Sequence, residues 1–259
     1  MTNVSISKRV RGRFRRSFAK KVAIAVIIAI PLLLALLYII LMVGMTTDGM
    51  ITVKVDDTKM VGKSIVLSEE SSFEKAKSAI SGDGILKLTD CSYKDVKYRE
   101  YHNMEGSSNG FNYVAYSFYI KNSGIEVLDY EYMISFPVVT KDLNSAVRVM
   151  LLTFDSENNE TSRKVFAKAR EGTTTVPEKI AYEDLNYGIE EEDDALVFLS
   201  DTLVTKEVRN SLEVGQADRY VIVLWLEGTD PECVDERIDG TLKLEMVFNI
   251  ISLEEEDLG

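Results

Sequence analysis

Apolar and polar residues alternate along several stretches in the second half of the chain, a pattern typical of half-buried strands. One such strand begins after Phe111 and is predicted to end at Asn122-Ser123-Gly124. A second strand follows it directly, and a third lies near the C-terminus. The residues predicted to face inward on these three strands are Val114, Tyr116, Phe118 and Ile120; Tyr130, Tyr132, Ile134 and Phe136; and Leu242, Leu244, Met246 and Phe248.

Two further stretches are apolar almost throughout and indicate strands in the middle of a sheet. Residues 147–154 read VRVMLLTF, and residues 220–226 read YVIVLWL. The polar residues 155–162 can turn the first of these back into a strand at 164–168, which would form a hairpin. Trp225 is expected to seal one end of the core. Asp230-Pro231 then forces the chain out of the strand, because proline lacks an amide donor and restricts its predecessor.

Shorter patterns complete the outline. Gly49 to Asp56 is predicted to be the first strand. Ser71-Ser72-Phe73-Glu74 matches a capping box and predicts a short helix to about Ile80. Further strands are predicted at 85–89, 195–199 and 202–208. With about nine strands and little helix, the sequence predicts an all-β fold, an antiparallel two-sheet β-sandwich.

The N-terminal 45 residues follow a different pattern. Residues 22–45 carry no charged side chain; as a helix they would extend about 36 Å, enough to cross a hydrocarbon core of about 30 Å. Eight basic residues and no acidic ones precede this run, which predicts a cytoplasmic N-terminus. We therefore expect a basic cytoplasmic tail at 1–21, a transmembrane helix at 22–45, an extracytoplasmic β-sandwich domain at 46–252 and an acidic disordered tail at 253–259.

An alternative interpretation of residues 22–45 is a cleaved secretory signal of unusual length. Such signals have shorter apolar regions and end in small residues before the cut. Here the sequence LMVGMTTDGM follows instead. An uncleaved anchor, and with it a single-pass protein of the cell membrane, is therefore the main expectation.

The net charge of the residues after the apolar run restricts the classes of partner that they can bind. The 214 residues after the apolar run hold 22 basic and 42 acidic side chains, a net charge of −20. Nucleic-acid binding rests on neutralising phosphates, so this domain is not expected to bind nucleic acid. The basic tail would suit anionic lipids of the inner leaflet, but a topology signal alone is the favoured explanation.

The sequence carries few residues suited to catalysis. His102 is the single histidine, so any Ser-His-Asp or Cys-His arrangement would have to use it. Its position in a polar loop is more typical of a surface residue. Motifs for zinc hydrolysis, phosphate binding, thiol redox chemistry and serine hydrolysis do not occur in the sequence. We therefore predict no catalytic residue and no bound cofactor, with calcium as the one open question.

Two acidic turns raise that question. Asp155 lies in one turn, and Asp230 and Asp235 lie in another; their carboxylates are ligands of the kind that calcium prefers. Neither turn fits the twelve-residue calcium loop, so a solvated acidic turn is the competing interpretation. Cys91 and Cys233 would either form a disulfide outside the cell or remain free, because geometry decides the pairing.

One stretch resembles a known group of proteins. Trp225 to Cys233 reads WLEGTDPEC and is followed by a turn at Gly240 and the strand LKLEMVF. AYSFYIKNSG at 115–124, AVRV at 146–149 and KVFA at 164–167 are similar in order and spacing. Together these segments resemble exported proteins of Gram-positive bacteria near camelysin and the TasA biofilm-matrix proteins, many of which carry the SipW-type signal peptide.

The resemblance, which covers about residues 111–248, implies a jelly-roll-like sandwich at the cell surface. For the secreted matrix members it also implies assembly by strand donation between subunits. The cleavage pattern usual in that group is missing here, and no metal-ligand set of a protease can be matched onto this sequence.

Two functional hypotheses follow. The first is a non-enzymatic surface module of the membrane, cell envelope or biofilm matrix, which binds another protein, a cell-wall polymer or a copy of itself by strand addition. Residues 49–56 would be the candidate donor strand, unless they pair within their own sheet. The second is an extracytoplasmic hydrolase that uses acidic residues; a cleft with two facing carboxylates would support it. A secreted matrix-fibre subunit is the alternative if the N-terminal segment is cleaved.

Overall fold

The computed structural model describes residues 26–27, 29–35, 49–56, 61–84, 89–97, 100–181, 195–237 and 239–251. The chain divides into two compact units, Met1–Asp48 and Gly49–Gly259. In the first unit, residues 26–27 and 29–35 are helical and their side chains are exposed. Among the described residues, no helix has both the length and the apolar character needed to span a bilayer. The rest of the predicted span, the basic tail at 1–21 and the acidic tail at 253–259 lie outside the described residues.

The second unit consists mostly of strands, which confirms the all-β prediction. Its described residues also include single 3-10 turns at Leu143–Ser145 and Asp235–Arg237. Its elements in chain order are β1 (Ile51–Val55), β2 (Ile65–Ser68), β3 (Ala79–Gly82), β4 (Asp90–Cys91), α1 (Tyr93–Lys97), β5 (Gly106–Ser107), β6 (Tyr113–Asn122), β7 (Leu128–Val139), β8 (Val147–Phe154), β9 (Glu160–Ala167), β10 (Leu196–Val197), β11 (Leu203–Leu212), β12 (Ala217–Glu227) and β13 (Leu242–Ile251).

The strands form two sheets. The five-stranded sheet has the order β11-β7-β13-β1-β3, and the larger sheet has the order β10-β9-β8-β12-β6-β2. The short strands β4 and β5 extend the larger sheet by pairing with β12 and β6. Most neighbours are antiparallel, as predicted, but β1–β13, β9–β10 and β4–β12 are parallel. The partners in each of these pairs are distant along the chain, so no tight turn imposes an antiparallel arrangement.

The two sheets pack face to face around an aromatic core. Phe118 of the larger sheet meets Phe248 of the smaller one with ring centroids 6.1 Å apart. Tyr220 and Tyr132 meet in the same way at 5.5 Å. The predicted inward faces of β6, β7 and β13 are all buried here. Alternation along a strand thus identified the buried face correctly.

A second core covers the outer face of the larger sheet. The segment around α1 and the residues near Ile180 pack against side chains of β8 and β12. These two strands are therefore buried on both faces, which explains why their sequences are apolar almost throughout. Their predicted central position is confirmed. Trp225 lies in this second core, stacked on Tyr93 with centroids 5.9 Å apart, and not at one end of the core between the sheets.

The helix predicted at 71–80 is wrong. Phe73 has a left-handed φ of 57°, which interrupts a right-handed helix. Beyond it, Lys77 pairs with Leu67, and Ala79 to Gly82 form β3 alongside β1. Strand pairing thus overrides a local capping signal worth only about 1 kcal/mol. The predicted strand at 85–89 lies almost wholly outside the described residues, and the one at 195–199 shortens to β10.

Candidate functional site

A cleft opens on one side of the sandwich, between the β8–β9 hairpin and β11. Its volume is about 330 Å³. Its lining residues come from the β8–β9 hairpin and from β7, β11 and β12. The lining residues are Tyr132, Leu151, Thr153, Phe154, Asp155, Thr161, Ser162, Lys164, Glu207, Val208, Arg209, Asp218 and Tyr220.

The cleft forms because the two sheet edges separate on this side. Strand β10 pairs only with Phe166 and Ala167 of β9. Strand β11 pairs with β7 along one edge, and its other edge pairs with no strand of the described part of the chain. On the opposite side of the sandwich, Leu67 and Lys77 exchange two backbone hydrogen bonds of 2.9 Å, so that side is bridged. The free edge of β11 is therefore the long accessible edge of the smaller sheet.

Glu207 is the centre of one polar network in the cleft. Lys164 Nζ lies 2.8 Å from each of its carboxylate oxygens, and the Tyr132 hydroxyl donates to Oε2 at 2.8 Å. Because Lys164 belongs to β9 and Glu207 to β11, this ion pair joins the two sheets across the cleft. Both side chains keep about a third of their surface exposed, so solvent weakens the pair and its contribution to stability is about 1 kcal/mol or less.

Asp218 is the centre of a second, more buried network. Arg209 Nε donates to its Oδ2 at 3.0 Å, and the Tyr130 hydroxyl donates to the same oxygen at 3.1 Å. The hydroxyls of Tyr130 and Tyr220 lie 2.7 Å apart. Arg209 thus links β11 to β12 behind the Lys164–Glu207 pair.

The tyrosines of the cleft remain neutral over the physiological range. Burial is the largest cause that raises the pKa of Tyr130, Tyr132 and Tyr220 above the ordinary tyrosine value, and nearby carboxylates and hydroxyls raise those of Tyr130 and Tyr132 further. A neutral phenol can donate a hydrogen bond, and Tyr130 and Tyr132 each donate one to a carboxylate of the two networks.

The surroundings of His102 consist of packing and backbone contacts. Its side chain is exposed, its ring packs edge-on against Phe154 at 5.3 Å, and its carbonyl accepts hydrogen bonds from Arg219 and Asn158. Arg219 in turn lies 3.9 Å above the Phe154 ring. The residue thus belongs to the packing around Phe154.

The three calcium candidates do not come together as a site. Within the described residues, no group of three or more His, Cys, Asp or Glu side chains is arranged to hold a metal ion. Asp155 caps its own turn by accepting from the backbone amides of Asn159 and Glu157 at 2.9 Å and from the Asn159 side chain at 3.1 Å. These hydrogen bonds, chiefly those from Asn159, lower its pKa. Asp235 is exposed in a 3-10 turn.

Asp230 is occupied by a buried ion pair. Arg148 Nη2 lies 2.6 Å from its Oδ2, and both side chains are 0% exposed. Its Oδ1 accepts from the Glu232 amide at 2.8 Å. The carboxylate that the sequence offered as a cation ligand therefore already neutralises a buried arginine.

Cys91 and Cys233 are free thiols in the structure, the first buried and the second half-buried. Burial, with help from nearby carboxylates, raises the pKa of Cys91 to about 12 and also raises that of Cys233. Both thiols are therefore protonated at neutral pH and react slowly. Their pairing under oxidising conditions stays a prediction.

The predicted donor strand is held within its own sheet. Residues 51–55 pair with β13 on one side, and residues 51–54 pair with β3 on the other. Releasing β1 would break both ladders, so donation of this strand is disfavoured. The acceptor edge, by contrast, is open at β11.

Sequence patterns alone did not identify the cleft. The stretch 202–208 was predicted as a strand, but Lys164, Glu207, Arg209 and Asp218 were not singled out. One signal was present: Glu207 and Arg209 occupy the same face of β11 as the buried Thr205 and are only partly exposed. Charged residues that face inward on an alternating strand are typical of an edge strand.

Comparison of the chain with protein-family models, with curated proteins and with solved structures finds no match. The resemblance to camelysin and the TasA-like proteins therefore stays a prediction, and the functional proposal rests on the geometry of this chain.

Proposed function

We propose that this protein is a membrane-tethered, extracytoplasmic β-sandwich of jelly-roll-like type that acts as a non-enzymatic binding or assembly module at a Gram-positive cell surface. The observation that carries the binding role is the free edge of β11 beside the cleft. A free strand edge presents unpaired amides and carbonyls, which can accept a strand from another chain. Between its two register shifts, β11 offers the regular stretch Thr205–Arg209 for such pairing.

The tether is supported by the sequence of the N-terminal segment. Residues 22–45 are long and apolar enough to cross a bilayer, and the basic residues before them favour a cytoplasmic N-terminus. The acidic character of the remaining chain suits a soluble domain outside the cell.

A hydrolase is the second candidate, because Glu207 and Asp218 line the same cleft. Each carboxylate, however, is held by a cation and a tyrosine: Glu207 by Lys164 and Tyr132, Asp218 by Arg209 and Tyr130. Both oxygens of Glu207 and the Oδ2 of Asp218 are thus engaged by partners within the chain, which leaves them poorly placed to exchange a proton with a substrate. The binding role therefore fits the cleft better.

Intact mass and fractionation of the full-length chain expressed in a Gram-positive host test the tether. We expect the uncleaved mass in the membrane fraction, with the second unit open to added protease on intact cells. A mass lacking residues 1–45, found in the medium or matrix, would replace the tethered module by the secreted fibre subunit.

Photo-crosslinking tests the binding edge. A benzophenone amino acid is placed at Val208 on β11, whose side chain is 53% exposed, and in a control chain at Ser81, exposed on the other outer strand of the same sheet. We expect adducts at position 208 in living cells and few at position 81. Equal yields at both positions would refute a specific role for the β11 edge.

A further inference from the structure

The free edge of β11 has a sequence that is complementary to itself. Residues 205–211 read Thr-Lys-Glu-Val-Arg-Asn-Ser, with Val208 in the middle and opposite charges on either side of it. In an antiparallel pair of two such strands, residues at equal distances from the centre lie opposite each other. Glu207 of one copy would then lie opposite Arg209 of the other, twice in the same pair.

Building on the proposed function, we propose that the strand accepted by the β11 edge is β11 of a second copy of this chain. The two copies are related by a two-fold axis through Val208, and the two five-stranded sheets join into one sheet of ten strands. A two-fold contact of this kind uses the same patch on both subunits.

The register follows from the charges. A two-fold axis perpendicular to a continuous sheet leaves each face of the sheet unchanged, so an inward residue must lie opposite an inward residue. Neighbouring residues on a strand face opposite sides, so the residue at the axis must lie opposite its own copy. Within the regular stretch Thr205–Arg209, which is flanked by register shifts, an axis at Lys206, Glu207 or Arg209 would place that charge directly opposite itself. Like charges in that position are destabilising. An axis at Thr205 would bring in Val204, whose carbonyl already accepts from the Leu199 amide at 3.3 Å. The axis at Val208 instead places valine opposite valine and glutamate opposite arginine.

The side chains have the room that this pairing needs. Val208 is 53% exposed on the outer face of the sheet. On the cleft face, Glu207 and Arg209 remain 27% and 36% exposed after forming their contacts within the chain. Each would gain an opposite charge while keeping its present partner, Lys164 for Glu207 and Asp218 for Arg209. The dimer thus requires no existing ion pair to break.

Cysteine crosslinking in native membranes tests both the dimer and its register. The full-length chain carries Val208→Cys, and a short bismaleimide joins facing cysteines; wild-type protein measures the background from Cys91 and Cys233. Ser81→Cys serves as the control for random collision. We expect at least ten times more covalent dimer from Val208→Cys than from Ser81→Cys. Equal amounts would overturn the proposal.

Neighbouring positions distinguish this register from others. Lys206→Cys and Asn210→Cys should each fail to link to themselves, because identical positions would be offset by four residues, about 14 Å. Coexpressed with different tags, the two variants should link to each other. Adding Arg209→Glu to Val208→Cys should lower the dimer yield at least threefold, because the introduced carboxylate would lie opposite Glu207 of the other copy. Self-linking of Lys206→Cys at the level of Val208→Cys would overturn the register.

Failure of this proposal is distinguishable from failure of the proposed function. If Val208→Cys does not link to itself but the benzophenone at Val208 captures a different protein, the edge binds another partner and the second copy is wrong. If neither reagent captures anything at position 208, the β11 edge is not a binding site, and both proposals fail.

Discussion

Breaking the buried pair Arg148–Asp230 on one side is expected to destabilise the second unit strongly. Arg148 also donates from Nε and Nη2 to the carbonyl of Lys179 at 2.9 and 2.6 Å, and from Nη1 to the carbonyl of Val147 at 3.2 Å. Substituting Asp230→Ala removes the carboxylate that contacts this guanidinium directly, and leaves its hydrogen bonds to carbonyls and the weaker electrostatic interaction with Glu178. The loop after β12 also loses the acceptor for the Glu232 amide.

Removal of one partner from a buried ion pair costs about 3–5 kcal/mol, because the remaining charge is desolvated without compensation. Both side chains are fully buried, which places Asp230→Ala within that range. The double variant Arg148→Met, Asp230→Ala removes both charges and leaves mainly the Lys179 carbonyl without its donor, a cost of about 1–3 kcal/mol. The double variant should therefore be about 2 kcal/mol more stable than the single variant.

Urea unfolding followed by tryptophan fluorescence measures this difference. Trp225 is the single tryptophan and is 0% exposed, so its emission reports loss of the second core. With a slope of about 2 kcal/mol per molar urea, Asp230→Ala should lower the unfolding midpoint by about 1.5–2.5 M. A double variant as unstable as Asp230→Ala, or less stable, would refute the view that an uncompensated charge dominates the cost.

Three further outcomes are expected. Burial is the main cause that raises the pKa of Glu227 above 4.5, so the contribution of this residue to stability is present at low pH and is lost as the pH rises through the raised pKa. Urea titrations should therefore show that wild type loses stability relative to Glu227→Gln between pH 4 and pH 7. A stability difference that does not change with pH would contradict this. Asn122→Ala removes the side chain that donates to the carbonyls of Glu126 and Leu212. In urea titrations this variant should lower the free energy of unfolding by about 2–3 kcal/mol. The exposed control Asn210→Ala should lower it by less than about 0.5 kcal/mol. Tyr130→Phe deletes one buried hydroxyl of the cleft network and should cost about 1–2 kcal/mol in thermal unfolding; no loss would mean that water replaces it.

Local patterns predicted the main strands well, because the direction of a side chain relative to a strand is set by the strand itself. The alternating residues of β6, β7 and β13 face the core, and the apolar runs of β8 and β12 lie in the middle of the larger sheet. The same local reasoning failed at residues 71–80, where a capping box predicted a helix. There Lys77 pairs with Leu67 and β3 pairs with β1, whereas a two-turn helix is too short to be stable by itself.

Local sequence patterns could not predict contacts between distant segments of the chain. Arg148 stands in an apolar run, and the carboxylate that neutralises it lies 82 positions further along the chain. Lys164 and Glu207 are 43 positions apart. Neither residue of such a pair has a local feature that identifies its partner, so the calcium interpretation of Asp230 could be tested only once its neighbours were known.

Residue types and a period of two along the chain are sufficient to predict the all-β character of the second unit, the buried faces of its long strands and its acidic charge. The sequence also predicts the membrane-spanning segment and its orientation. Contacts between distant segments, by contrast, set which strands lie at the edges, where the cleft opens and which charges are paired. Those properties depend on the order of strands within each sheet, and strand order is set by the packing of the whole core rather than by any one segment.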